Sequence, residues 1–427
     1  MGTAKYSSYD VLNAFFDDGS FQETDAYLKS ASAEAEAVTG YGTVDGVTVY
    51  AFAQNIDICG GAMSKAQAKK ITKLYDLALK TGSPIVGFYD SVGGRLEQKY
   101  ELLSAYGDIL QKSAQLSGVV PQISVVLGNC LGTSALIAAS ADYIIMEKNA
   151  QLSVDTVGEK ASADDNLNSG IASFIAEGYE ACVDQAKELL GYFPANNLEP
   201  APAFETVPAY ADPDKLPKYF ADENSLLCVG GGYGEPVCTA FGRVNGYPVG
   251  LIVTKGGEIS SDSAKKMIKH VRFCDAFSIP VITIVDAEQF ESLSDASKLV
   301  SVYSEATTAK VSLVAGTAVG AVYIALAGST SGADLVYALP DAVVSPVAPK
   351  AAAFILDDSI ANAPVAEQES LATAYVKANL SAVKAAQDGY IDDIVEPETL
   401  RDKLIAALDM LSSKRVSTLP KKHTTKI

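Results

Sequence analysis

Two short turns carry the residue types best suited to chemistry in this chain. Gly128-Asn-Cys-Leu-Gly132-Thr133-Ser134 and Gly316-Thr-Ala-Val-Gly320-Ala321-Val322 each follow a β-branched run and lead into a small-residue segment, 134–141 or 322–327. A strand, a glycine turn and a helix start leave backbone N–H groups without acceptors and aimed outward. Such donors stabilise the oxyanion that develops when a carbonyl or thioester is attacked or enolised. The plainer reading, glycine serving only a tight strand-to-helix turn, stands beside this one. A third element, Asp90-Ser-Val-Gly93-Gly94-Arg95, ends an apolar strand in a glycine pair with a cation next to it, a pattern able to cradle a phosphate or thioester.

Side-chain catalysis finds little else to use. The chain has two histidines: His270, which helical spacing puts on the polar side of a helix over 265–274, and His423 near the C-terminus. Neither is spaced for a Ser–His pair, no metal-ligand pattern is present, and no metal is expected. The acid pairs Asp392-Asp393 and Asp164-Asp165 read as solvated surface. An enzyme with this inventory works through backbone donors.

The elements that must position these turns occur twice. Tyr41-Gly-Thr-Val-Asp-Gly46 returns as Phe241-Gly-Arg-Val-Asn-Gly246, and Ala68-Lys-Lys-Ile71 as Ala264-Lys-Lys-Met267. The apolar run 85–90 returns as 281–286, each ending in Asp, and Ser124, Gly128 and Gly132 match Ser312, Gly316 and Gly320. Each half therefore opens with a hairpin around Asp45-Gly46 or Asn245-Gly246. A helix, a buried strand, another helix and a third strand follow, which predicts a sheet covered on both faces. The stretch 154–234 shows no counterpart in the repeat and reads as a Pro-rich linker with one helix, 180–190.

Composition bounds the answer. Of 427 residues, 48% are hydrophobic and 20% charged, as in a soluble globular protein, and the net charge of −19 argues against nucleic acid. The six cysteines (59, 130, 182, 228, 238 and 274) are scattered and read as buried thiols in a reducing compartment. The N-terminus lacks a signal-peptide pattern, and the longest apolar stretch, 119–141, is interrupted by Pro121, Gln122, Asn129 and Gly132. A cytoplasmic location is expected.

Long collinear stretches resemble the carboxyltransferase subunits of biotin-dependent acyl-CoA carboxylases and decarboxylases, of the propionyl-CoA carboxylase beta and methylmalonyl-CoA decarboxylase alpha type. They are Tyr41-Gly-Thr-Val-Asp-Gly46, Leu77-Ala-Leu-Lys-Thr-Gly-Ser-Pro84, Ser117-Gly-Val-Val-Pro-Gln-Ile-Ser124, Gly191-Tyr-Phe-Pro-Ala-Asn-Asn197, Val271-Arg-Phe-Cys-Asp-Ala-Phe277 and Gly389-Tyr-Ile-Asp-Asp393. The resemblance spans about residues 38 to 405. It implies an α/β fold made of a tandem duplication of crotonase-like ββα-superhelix domains: an N-terminal helical arm over 1–38, one domain over 39–155, a linker with a helix over 156–235, a second domain over 236–412 and a disordered tail over 413–427.

It also implies a reaction: carbon dioxide moves between carboxybiotin on a separate carrier protein and the α-carbon of a short acyl-CoA, propionyl- or methylmalonyl-CoA. Carried over by position, one oxyanion hole falls at Gly132 and Thr133 and the other at Ala321 and Val322. Gly93, Gly94 and Arg95 come beside the CoA thioester, Gly320 beside the second hole, and Ile324 at the acyl pocket. The implied cofactors are biotin on that carrier and the coenzyme A thioester as substrate. The implied partners are a biotin carboxyl carrier protein and either a biotin carboxylase or a membrane decarboxylase subunit, with a dimer-based homo-oligomer, a hexamer, as the assembly. The family's glycine pairs read Gly132-Thr133 and Gly320-Ala321 here, Val92 replaces a glycine, Val322 adds bulk expected to face the ligand, and the loop after Asp286 is shortened to Ala287-Glu-Gln-Phe-Glu-Ser292. Two alternatives stay open: a degenerate paralogue acting as a scaffold or partner subunit, and a biotin-independent crotonase-like decarboxylase or hydrolase.

Overall fold

The computed structural model describes residues 6–30, 35–155, 160–205, 207 and 216–416. The chain begins with helix α1 (Ser8–Phe15), closed by a reciprocal Ser7–Asp10 capping box, and a short strand β1 (Gln22–Thr24). The hairpin β2 (Ala37–Val44) and β3 (Val47–Gln54) follows. Its turn residues Asp45 and Gly46 have φ of 49° and 78°, as a type I′ turn requires at both central positions. Then come α2 (Lys65–Thr81), β4 (Ile85–Ser91), α3 (Tyr100–Leu116), β5 (Gln122–Leu131), α4 (Thr133–Ala139), β6 (Tyr143–Glu147), β7 (Gln151–Ser153), α5 (Ala163–Asn168), β8 (Phe174–Ala176) and α6 (Tyr179–Leu190).

The sheet order is β1-β2-β3-β4-β5-β6-β8, parallel from β3 onward, with β7 pairing the far end of β5. The central strand β4 is apolar on both faces because both are covered. Phe88 packs its ring 5.2 Å from Phe15 of α1, and its neighbour Tyr89 points the other way, 5.4 Å from Phe52, into the cluster that holds Ile71 and Leu74 of α2 and Ile109 of α3.

The second unit repeats the plan. It contains α7 (Leu216–Phe220), β9 (Leu227–Val229), β10 (Cys238–Val244), β11 (Tyr247–Val253), β12 (Glu258–Ile259), α8 (Ser261–Ala276), β13 (Val281–Ala287), β14 (Gln289–Phe290), α9 (Leu293–Glu305), β15 (Lys310–Val319) and α10 (Gly320–Leu326). It continues with β16 (Leu335–Ala338), β17 (Val343–Ser345), α11 (Pro349–Leu356), α12 (Asp358–Ala361), α13 (Val365–Asn379), α14 (Ala382–Gln387), β18 (Asp393–Ile394) and α15 (Pro397–Leu411). Its sheet runs β9-β10-β11-β13-β15-β16-β18 with β17 beside β15, strand for strand the order of the first. The α/β class and its duplication are as expected from the sequence.

The duplication also reaches further than the sequence motifs do. The segment 154–234, read as having no counterpart, supplies α5, β8 and α6 to the first unit, and α14, β18 and α15 stand in the same places in the second. The bridge Gln151↔Ser162 is matched by Val343↔Ser381, and Leu152 N–H to Ala161 O (2.8 Å) by Val344 N–H to Leu380 O (3.0 Å). What differs is α11–α13, a helical insert after β17 with its own small cluster of Ala353, Ile360 and Ala372. The chain divides into two compact units, one reaching Pro202 and taking in Gly230–Gly232, the other formed by Ala203–Val229 and the chain from Tyr233 on.

Two repeated motifs acquire a structural reason. The second lysine of each Ala-Lys-Lys turns inward, Lys70 fully buried and Lys266 half-buried: Lys70 Nζ donates to Ala37 O at 2.8 Å, and Lys266 Nζ to Val237 O at 3.1 Å and Tyr233 O at 2.8 Å. Burial lowers both ammonium pKa values. Each hairpin turn is latched by an aspartate. Asp17 accepts the N–H groups of Asp45 and Gly46, both at 3.0 Å, and Asp222 those of Asn245 and Gly246, at 3.1 and 2.7 Å.

Candidate active site

In each unit the strand that ends in aspartate sets the turn of its neighbour. Asp90 of β4 accepts the Asn129 N–H at 3.2 Å, and Asp286 of β13 accepts the Thr317 N–H at 2.8 Å. A β-carbon on Gly128 would collide with the Asp90 carboxylate, and one on Gly316 with that of Asp286. Glycine at these two positions is thus a packing requirement. Tyr6, with its hydroxyl 3.3 Å from Asp90 Oδ2, shares the first of these sites. Burial raises the Asp90 pKa, opposed by the bonds from Asn129 and Tyr6.

Past this contact the β4–β5 register shifts, and β5 pairs with β7 from Asn129↔Gln151 to Leu131↔Ser153. Gly132, with φ 67° and ψ −140°, donates to Ser153 O at 2.9 Å and turns the chain into α4. Thr133 is the exposed first residue of that helix, and among the described residues its N–H has no hydrogen-bond acceptor. Gly93 has φ 121°, and a β-carbon there would meet only Leu131 O, at 4.0 Å. One on Gly94 would strike Leu102 and, at 2.9 Å, the Tyr106 hydroxyl, which in turn lies 3.1 Å from Ser134 Oγ. The Gly93-Gly94 turn and the first turn of α4 therefore meet at the C-terminal ends of β4 and β5, joined through Tyr106.

Arg95 belongs to this turn but its guanidinium is engaged elsewhere. Nε donates to Glu97 at 2.6 Å and Nη1 to the buried Glu36 at 2.9 Å and to Ser30 at 2.5 Å. The Glu97 and Glu36 hydrogen bonds raise its pKa. Through these bonds Arg95 braces the turn against Glu36.

In the second unit Gly320, φ 44°, opens α10, and a β-carbon there would lie 2.8 Å from Pro346 O. Ala321 is exposed and Ile324 is 51% exposed, whereas Val322 is fully buried. The bulk that Val322 adds is directed into the core, which corrects the expectation that it faces a ligand. The shortened loop after Asp286 forms β14, paired in parallel with β12, much as Gly94 bridges Met63 in the first unit. Neither α4 nor α10 has a side-chain N-cap, although α2 and α8 in the same units are capped by Ser64 and Ser260. Their first-turn N–H groups have no acceptor inside the helix.

His270 is buried rather than on a polar helix face. Its ring lies 4.9 Å from that of Phe241, and neither ring nitrogen has a hydrogen-bond partner among the described residues. Burial pushes its pKa down to about 3, so the ring is neutral. His423 and the tail beyond residue 416 lie outside the described residues. The cysteines also divide: Cys130, Cys182 and Cys274 are buried, but Cys59 and Cys228 are exposed and Cys238 is intermediate. Sequence reasoning noted that the matched strands end in Asp90 and Asp286 but gave those residues no role, and it did not single out Tyr106 or Glu36. The two aspartates carried a signal, since both end matched strands, while nothing local marks Tyr106 or Glu36.

The sequence profile of the carboxyl transferase domain matches residues 5–426. Methylmalonyl-CoA decarboxylase subunit alpha of Propionigenium modestum is 34% identical over 99% of this chain and 93% of the relative. The methylmalonyl-CoA carboxyltransferase 12S subunit of Propionibacterium freudenreichii subsp. shermanii is 31% identical over 98% and 91%. Among solved structures, the transcarboxylase 12S hexamer with methylmalonyl-coenzyme A and methylmalonic acid bound superposes with a TM-score of 0.91 at 29% identity, covering 99% of this chain and 93% of that one. The duplicated α/β architecture is thus the crotonase-like one of the transcarboxylase core. With a profile match over nearly its whole length and relatives above 30% identity from end to end, the chain belongs to the carboxyl transferase domain family of enzymes.

Proposed function

We propose that this protein is the carboxyltransferase component of a biotin-dependent system acting on a short acyl-CoA of the propionyl/methylmalonyl type. The observation that carries this reading is the pair of uncapped helix starts after glycine turns, one per unit, on a chain collinear with relatives named for methylmalonyl-CoA and propionyl-CoA. In the first unit the Gly132 N–H is already given to Ser153 O, so it is the Thr133 N–H, in the turn Gly132 sets, that receives the thioester oxygen, where negative charge gathers as the α-carbon becomes an enolate. Gly93, whose β-carbon position is open, lets the acyl-CoA approach without side-chain obstruction, while Gly94 packs behind it against Leu102 and Tyr106. In the second unit the N–H groups of Ala321 and Val322, beside Gly320, hold the ureido oxygen of biotin, and Ile324 limits the acyl group. Carboxybiotin, when bound, supplies carbon dioxide and a ureido nitrogen able to take up the α-proton, so the buried neutral His270 has no part in the reaction. Loss of one such backbone donor costs about 10²–10³ in rate.

The cofactor and partners follow from the same reading: biotin on a separate carrier protein, a biotin carboxylase or membrane decarboxylase subunit to load or discharge it, and a homo-oligomer. No helix among the described residues is long and apolar enough to cross a membrane. The deciding experiment is carboxyl exchange, following loss of the acyl carboxylate from methylmalonyl-CoA or malonyl-CoA with and without free biotin. Biotin-dependent turnover is expected. Turnover independent of biotin would replace this reading with a stand-alone decarboxylase. No turnover together with no binding of the CoA ester would make the chain a non-catalytic partner subunit.

A further inference from the structure

Away from the turns, the second unit brings two thiols together. Cys228 lies in β9, the edge strand, and Cys238 opens β10. The antiparallel register pairs Cys228 with Ala240 and Val229 with Thr239, which leaves the two cysteines diagonal neighbours, offset by two residues on one face. Their sulfurs are 4.0 Å apart. Cys228 is exposed and Cys238 half-buried, so the pair is open to a small reagent. No other two sulfurs among the described residues approach within hydrogen-bonding reach: Cys130, Cys182 and Cys274 are buried singly, and Cys59 is exposed without a thiol neighbour.

We propose that Cys228 and Cys238 form a redox-active dithiol, oxidised to an intrachain disulfide by exchange with a low-molecular-weight disulfide such as glutathione disulfide. The surroundings assign the roles. A hydrogen bond from the Cys238 thiol holds the Cys228 pKa down to about 6, with Lys255, Lys266 and Lys218 adding to it. Cys238 is pushed up by the same partnership and by burial. The Cys228 thiolate attacks one sulfur of the reagent, forming a mixed disulfide and expelling one thiolate. The Cys238 thiol then gives up its proton to solvent and attacks Cys228 Sγ, expelling the second thiolate. Two electrons pass from the pair to the reagent, and one S–S bond is exchanged for another.

Closing the sulfurs from 4.0 Å to the roughly 2.05 Å of a disulfide needs rotation about both Cα–Cβ bonds and a small shift of β9. A three-residue strand that, among the described residues, has a neighbouring strand on one side permits that shift. The ring so formed encloses 229–237, in which Gly230, Gly232 and Gly234 hold positive φ. This inference stands apart from the acyl-transfer reading and does not depend on it.

The test uses the full chain, fully reduced and then incubated with glutathione disulfide, acid-quenched, alkylated and digested with trypsin. One peptide, 219–243, carries both cysteines. In the wild type it is expected to lose two hydrogens and to escape alkylation. Cys238→Ser is expected to stop at a glutathione adduct on Cys228, and Cys228→Ser to react at Cys238 at least about tenfold more slowly. At pH 6, alkylation of Cys228 should outpace that of Cys59 by about tenfold. The proposal is overturned if 219–243 keeps both thiols, or only a persistent adduct, under conditions that modify Cys59. Equal alkylation of Cys228 and Cys59 overturns the assigned roles. Circular dichroism melts of both serine variants establish that the reactivities are those of folded protein.

Discussion

At the residue scale the site rests on atoms that substitution rarely reaches, because its proposed donors are main-chain N–H groups. Thr133 offers a way in. It is the first residue of α4, the one helical position where proline is tolerated, so Thr133→Pro deletes the N–H while keeping the helix. We expect kcat for carboxyl exchange to fall by about 10²–10³ with little change in melting temperature; unchanged turnover would remove Thr133 from the hole. His270 makes the opposite kind of statement. Its folded pKa is held down to about 3 by burial, below the unfolded value near 6.5, so the unfolded chain binds the extra proton between those limits. Stability therefore falls as pH drops from about 6.5 toward 3, with a slope approaching 1.4 kcal/mol per unit from this group alone. His270→Leu should flatten the acid limb of urea midpoints measured between pH 6 and pH 4, and an unaltered limb would assign the acid sensitivity to other groups. Sequence alone put this ring on the wrong side of its helix. Spacing does not show that Phe241 covers the face of the helix that carries His270.

At the element scale the duplicated latches show how one device acquires two energies. Asp17 is half-exposed, so its bonds to the Asp45–Gly46 turn compete with water. Asp222 is buried at 1% exposure and also holds Arg401 at 2.6 Å, while Arg401 donates as well to Phe220 O. Asp17→Ala should cost about 1 kcal/mol or less. Asp222→Ala leaves a buried guanidinium unpaired and should cost about 3–5 kcal/mol. Denaturant midpoints of the two variants compare them directly, and equal losses would show that Arg401 finds water or another acceptor. The hairpins themselves were legible because Asp-Gly and Asn-Gly specify their turns locally. The latching aspartates were not, since they act over 28 and 23 residues of chain and lie outside any turn motif. The same limit explains why β8 and β18 escaped notice: strands of three and two residues carry no periodicity to read.

At the scale of the whole molecule each unit exposes large apolar side chains: Leu96, Tyr100 and Leu103 in the first, Ile355, Leu356 and Val365 in the second. The solved relative is a hexamer. Light scattering on the purified protein is expected to give a mass that is a multiple of the chain's, and a monomer at micromolar concentration would contradict the oligomer proposal. The repeat motifs announced two units, yet its full extent, with seven strands in one order twice over, emerged only when weakly patterned edge elements found their partners. That order has a consequence for synthesis. Every strand of the first sheet, down to β8, and the helix α6 that covers it are encoded before residue 203. While the ribosome is still producing the second half, the first has all its strands in hand and can bury its core without waiting, so a nascent chain stalled midway through the second sheet should already protect the first from protease.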